Sequence, residues 1–94
     1  MPLIAQQPYV KVKREVHSIE QIDIELNRMI YLYDDKVVTQ HREFPVTDVL
    51  DMSYRQVGGD GGLLYLHTIK GVYTYTVKFS PTKFIEAFKV LKDN

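Results

Sequence analysis

Residues 58–92 read GGDGGLLYLHTIKGVYTYTVKFSPTKFIEAFKVLK, and the order of patterns within them decides the fold. Gly58-Gly59-Asp60-Gly61-Gly62 separates two runs of strand-like composition. Glycine takes up positive φ without the strain that a Cβ brings, so four glycines around one aspartate permit a tight reversal. The same backbone could also cradle a phosphate in a nest of N–H groups. A Walker-type loop, however, ends in Gly-Lys-Ser/Thr and opens a helix, whereas Leu63-Leu64-Tyr65 opens a strand. A hairpin turn is therefore expected.

Downstream, Lys70-Gly71 has the composition of a second tight turn between strands at about 63–69 and 72–79. Alternation places Tyr73, Tyr75, Val77 and Phe79 on one face of the last strand, the better core face, and Val72, Thr74, Thr76 and Lys78 on the other. Ser80 then reads as an N-cap with Pro81 at the first helical position, where a missing N–H costs nothing. Phe84, Ile85, Phe88 and Leu91 recur at helical spacing while Lys83, Glu86, Lys89 and Lys92 look outward, so one amphipathic helix is expected over about 81–92. A helix that short is marginal alone, and its phenylalanine stripe must rest on the strands.

Upstream, residues 1–8 carry no usable period and are expected to form a flexible arm. Residues 9–16 begin with apolar and charged residues in alternation, the pattern of a half-solvated first strand. Residues 18–26 read two ways. Ser18 could cap a short helical turn, while Ile22, Ile24 and Leu26 alternate as in a strand, which the β-branched content favours from about Ile22. Residues 29–33 and 36–44 are expected to pair about an Asp34-Asp35 turn, with Pro45 marking a strand end or an edge. In residues 49–55, alternation points Leu50, Met52 and Tyr54 to one side, and Val49, Asp51, Ser53 and Arg55 to the wet side.

Ninety-four residues make room for one domain, here residues 9–94, with a core that needs no staples. Cysteine is absent, which excludes disulfides, thiolate metal sites and a cysteine nucleophile. Twelve basic and twelve acidic residues cancel, leaving no global field to draw the chain onto nucleic acid. Met1-Pro2-Leu3-Ile4-Ala5 lacks the basic start and apolar run of a signal peptide, so a cytoplasmic location is expected.

The order of elements resembles the pleckstrin-homology (PH) superfold, especially its small bacterial PH-like and GRAM-like domains. The resemblance is carried by residues 29–40, by Phe44-Pro45-Val46-Thr47-Asp48-Val49-Leu50-Asp51-Met52, and by Val72-Tyr73-Thr74-Tyr75-Thr76-Val77 running into Phe84-Ile85-Glu86-Ala87-Phe88. It implies a mainly β, half-open barrel of two roughly orthogonal antiparallel sheets, with about six or seven strands and a C-terminal helix closing one end. Members that bind phosphoinositides place basic residues on the first two strands. Lys11, Lys13 and Arg14 lie in that neighbourhood as candidate anionic-ligand contacts, but the second-strand segment Gln21-Ile22-Asp23-Ile24-Glu25-Leu26 is acidic. The three cations are therefore also read as a solvated strand face that blunts an edge against aggregation.

No catalytic constellation emerges. His17, His41 and His67 show no paired ligand spacing, Asp34-Asp35 has no placeable partner, and Gly-x-Ser-x-Gly is absent, so neither metal, cofactor nor enzyme activity is expected. Tyr31 and Tyr33, or Tyr73 and Tyr75, lack the surrounding positive charge of a nucleic-acid stacking platform and are read as packing residues. The sequence thus points to a noncatalytic interaction module, docking a protein partner or a second copy of itself through a strand edge or the groove beside the helix. A peripheral phospholipid-headgroup binder and a small-ligand barrel are the alternatives.

Overall fold

The computed structural model describes residues 2–17, 20–59 and 61–93; for 14–17 and 20–22 it describes the backbone alone. Seven antiparallel strands form one sheet in the order β4-β3-β2-β1-β7-β6-β5, followed by a single C-terminal helix. The strands are β1 (Leu3–His17), β2 (Glu20–Tyr33), β3 (Lys36–Val38), β4 (Glu43–Pro45), β5 (Val49–Gln56), β6 (Gly62–Thr68) and β7 (Gly71–Val77). The helix, α1, spans Thr82–Lys92. The sheet does not close on itself: β4 and β5 are its two terminal strands.

Two meanders build this sheet. The first, β1 to β4, is dominated by the long β1–β2 hairpin, paired from Leu3↔Tyr33 to His17↔Glu20. The second is β5 to β7. A single register pair, Val10↔Thr76, joins β1 to β7. Beyond that junction the hairpin runs on as a two-stranded ribbon, and the molecule extends 54 × 27 × 24 Å.

The core lies against one face of the strands and under α1. Ile30, Leu32, Val37, Val49, Met52, Leu64, Leu66 and Val77 meet Phe84 and Phe88 there, with Tyr73, Tyr75, Ile85 and Leu91 packed at its margin. Burying each phenylalanine contributes roughly 1.5–3 kcal/mol before entropy is charged. The helical periodicity is thus realised as expected, and Lys92 Nζ donates to the Val46 carbonyl at 3.0 Å, fastening the helix end to the segment between β4 and β5.

Several local expectations are corrected. From Leu3 onward the leading segment is strand, and Gln7 is buried there, its amide donating to the Phe79 carbonyl at 3.1 Å. Glu20–Tyr33 is one strand, which resolves the ambiguity from Glu20 on; Ser18 and Ile19 lie outside the described residues. The expected 36–44 strand is instead two short ones. Thr39 N–H donates to the Arg42 carbonyl at 2.8 Å and reverses the chain between β3 and β4. Pro45 does end an edge strand, and a 3-10 turn, Val46–Asp48, carries the chain across to β5.

The alternation of β5 slips at its start. Val49 pairs with Thr68 and Asp51 with His67, so Leu50 is the extra residue of a β-bulge. The slip turns Val49 inward (0% exposed) and Leu50 outward (61%), while Met52 and Tyr54 keep the core side. In β7, Val77 is buried and Tyr73 and Tyr75 are half-buried, but Phe79 lies past the strand end and is 63% exposed. Pro81, not Ser80, is the N-cap residue; the Ser80 hydroxyl hydrogen-bonds the Thr82 hydroxyl at 2.7 Å and no side chain caps the helix.

The glycines act where the backbone requires them. Gly58 and Gly59 take φ of 67° and 52° in the β5–β6 hairpin. At Gly62 an added Cβ would lie 2.1 Å from the Arg55 carbonyl oxygen, so close approach of the two strands excludes any side chain there.

Candidate functional site: a basic cleft where the meanders part

Because β1 touches β7 at one register pair, the two meanders splay apart beside it and leave a cleft of about 390 Å³. Its walls come from β1 (residues 9–12), β2 (Arg28), the β3–β4 loop (Thr39, His41, Arg42) and β7 (Thr74, Tyr75, Thr76). Lys11, Arg28 and Arg42 supply three positive charges, and no carboxylate is among the lining residues.

The register explains how an acidic segment of β2 leaves this cleft positive. Directly opposed residues in an antiparallel pair project to the same side of the sheet. Tyr9 opposes Arg28 and Lys11 opposes Leu26, whereas Val12 opposes Glu25 and Arg14 opposes Asp23. Glu25 and Asp23 therefore belong to the opposite face from Lys11, and Glu25 is occupied there by an ion pair with Lys78. Among the described residues, neither Asp23 nor Glu25 lines the cleft.

Arg28 is the residue with most at stake. Its Nε is buried without a hydrogen-bond partner. A guanidinium is always charged and carries only donors, so a buried unpaired N–H of this kind is stabilised by any acceptor that enters. Arg42 is held differently: its guanidinium stacks 4.9 Å from the Tyr73 ring centroid, and Tyr73 packs edge-on against Phe44. The planar group is thus fixed over an aromatic shelf.

Hydroxyls complete the lining. Tyr9 and Tyr75 meet edge-to-face at 5.1 Å between centroids. Burial pushes the Tyr75 phenol above the usual tyrosine value, with Thr39 hydrogen bonding and the Arg42 charge acting the other way, so at neutral pH Tyr75 remains a donor. Fixed guanidinium groups, an ammonium and neutral hydroxyl donors form a set suited to a phosphate or carboxylate.

Of the sequence-derived candidates, Lys11 lines the cleft, Lys13 is exposed farther along the ribbon, and the Arg14 side chain lies outside the described residues. Arg28, His41 and Arg42 were not singled out as ligand contacts, since nothing in their spacing brings residues 11, 28 and 42 together. His41 lines the cleft, while His67 is on β6, where its Nε2 lies 2.8 Å from Ser53 Oγ. Asp51 opposes His67 in register, but its Oδ1 accepts the Met52 N–H at 2.8 Å. Among the described residues no group of three or more His, Cys, Asp or Glu is placed to hold a metal ion, and no helix is long and apolar enough to cross a membrane.

No family model matches this chain, and neither a curated protein nor a solved structure matches it.

Proposed function

We propose that this protein is a noncatalytic binding module of PH-like build whose ligand is an anion seated in the basic cleft. The observation that carries the reading is the buried, unpartnered Nε of Arg28, a residue that lines the cleft together with Lys11 and Arg42 and with no carboxylate. The PH-like part is supported by the two antiparallel meanders, their narrow junction at Val10↔Thr76, and the C-terminal helix that buries Phe84 and Phe88 against both. On this reading the sheet bends at the junction into two roughly orthogonal halves.

A phosphate group fits the donors by chemistry, and it can come from a free phosphate monoester or from a phospholipid headgroup. The set of donors is the same for both: Arg28 and Arg42 as charged hydrogen-bond donors, Lys11 as a mobile counter-charge, and the threonine and tyrosine hydroxyls as neutral donors.

Backbone-amide NMR titration tests the reading with three probes: a soluble phosphate monoester, vesicles containing a phosphoinositide, and vesicles of phosphatidylcholine alone. Saturable shifts confined to residues 9–12, 28, 39–42 and 74–76, lost in Arg28→Gln and Arg42→Gln, are expected. Response to the monoester assigns a soluble ligand, and response to phosphoinositide vesicles alone assigns a lipid. Absence of localised shifts with both phosphate-bearing probes overturns the proposal.

A further inference from the structure

Where β1 and β7 part beyond Val10↔Thr76, the backbone of β7 is left open toward the cleft, and register fixes which of its residues face that way. In an antiparallel ladder alternate residues exchange backbone bonds with one neighbour. Val57 N–H donates to the Gly61 carbonyl at 2.9 Å in the register that sets Arg55 opposite Leu63, so Leu63, Tyr65 and His67 direct their bonds to β5. Leu64 and Leu66 then direct theirs to Tyr75 and Tyr73 of β7. Val72, Thr74 and Thr76 are left to face β1. Thr76 meets Val10 there, but the next pair in that register, Thr74 with Val12, is not formed, and both residues line the cleft. Thr74 is exposed and Val72 is 56% exposed, so this short edge is open to an incoming strand.

The side chains beside that edge are those of the basic cleft. Tyr75 meets the Tyr9 ring, and Tyr9 opposes Arg28 on the side of the sheet that Lys11 shares. Tyr73, two residues from Tyr75, faces the same side and carries the Arg42 guanidinium over its ring. Directly opposed residues of an antiparallel pair project to one side. A residue of an added strand that opposes Tyr73 is therefore brought beside Arg42, toward the cleft that Lys11 and Arg28 also line.

We infer that the ligand of the cleft is an extended peptide with a phosphorylated side chain, added antiparallel to β7 with the phosphorylated residue opposite Tyr73. The inference rests on the anion reading of the cleft. In this register the two residues flanking the phosphorylated one exchange backbone bonds with Val72 and Thr74, while its own N–H points away from β7. Pairing stops at Thr76, which Val10 already holds. The three cations and the absence of a carboxylate among the lining residues select a phosphorylated segment over an unmodified one. A lipid headgroup would leave the Val72 and Thr74 backbone groups unused, and the open edge thus favours a peptide.

NMR titration and amide hydrogen exchange of the full chain test it with five probes. These are free phosphoserine, a short threonine- and valine-rich peptide with one central phosphoserine, its unphosphorylated form, and the phosphopeptide N-methylated either at the phosphoserine or at both its neighbours. The phosphopeptide should bind about tenfold or more tighter than free phosphoserine, and it alone of those two should slow exchange of the Val72 and Thr74 amides. Methylation at the phosphoserine should keep that gain, and methylation at its neighbours should remove it. Free phosphoserine binding as tightly as the phosphopeptide, with no new protection at Val72 and Thr74, overturns the inference and leaves the anion reading standing. A gain that survives methylation of the neighbours, or equal binding of the unphosphorylated peptide, also overturns it. If neither free phosphoserine nor the phosphopeptide shifts the cleft residues, the anion reading falls and the inference with it.

Discussion

Tyr9 of β1 and Tyr75 of β7 meet edge-to-face, ring centroids 5.1 Å apart at an interplanar angle of 76°, beside the one register pair that joins the two meanders. Edge-to-face contact sets the positive rim of one ring against the negative face of the other and contributes about 0.5–1.5 kcal/mol beyond the area it buries. Tyr75 also lines the cleft beside Thr39 and Arg42, so one side chain serves both the junction and the site.

The Tyr75 phenol is raised above the ordinary tyrosine value, chiefly by burial. The folded state therefore holds this proton more tightly than the unfolded chain. The associated stability is fully present below the unfolded tyrosine value of about 10 and declines as pH rises through the folded value. Urea titrations at increasing alkaline pH should show a steeper loss of stability for the wild type than for Tyr75→Phe. Equal slopes would remove the assignment.

Phe88 and Val90 lie two positions apart on α1 with opposite burial, 1% and 64% exposed. Phe88→Ala should cost about 3–5 kcal/mol through lost contact and the cavity left behind. Val90→Ala should stay within about 0.5 kcal/mol. Chemical denaturation of both variants measures the contrast, and similar losses would mean that the helix packs by another face.

The bulge at Leu50 reverses what strict alternation gives for two neighbours. Val49→Thr keeps shape but buries a hydroxyl, and should cost about 1–3 kcal/mol. Leu50→Thr should fall within about 0.5 kcal/mol. Thermal unfolding distinguishes this from an unbulged strand, which would invert the order.

Gly62→Ala should destabilise by at least about 2 kcal/mol, because the new methyl meets the Arg55 carbonyl of the adjacent strand and the backbone must shift. Gly58→Asn should cost far less, since nothing lies within 4 Å of its Cβ position and asparagine tolerates positive φ better than most residues. Comparable denaturation midpoints for the two variants would contradict the close approach at Gly62.

Much of this arrangement is legible along the chain. The glycine run, the Lys70-Gly71 turn, the alternation of residues 72–77 and the spacing of Phe84, Ile85, Phe88 and Leu91 are local patterns, and local backbone preference with apolar periodicity is enough to place β6, β7 and α1. The mainly β class and the single C-terminal helix follow from their order. The bulge does not show, because one extra residue leaves composition unchanged while reversing which side chains are buried. Nor does the division of residues 36–44, where a backbone turn at Thr39 and Arg42 interrupts an apparently continuous run.

The cleft belongs wholly to the tertiary structure. Lys11, Arg28 and Arg42 are far apart in sequence, and strand register, which no single segment encodes, decides that Arg28 shares a face with Lys11 while Glu25 turns away. Sequence alone determined the elements and their order, since these depend on neighbours a few residues apart. Which charges meet, and which strand is left at the sheet's edge, depended on pairing between distant segments.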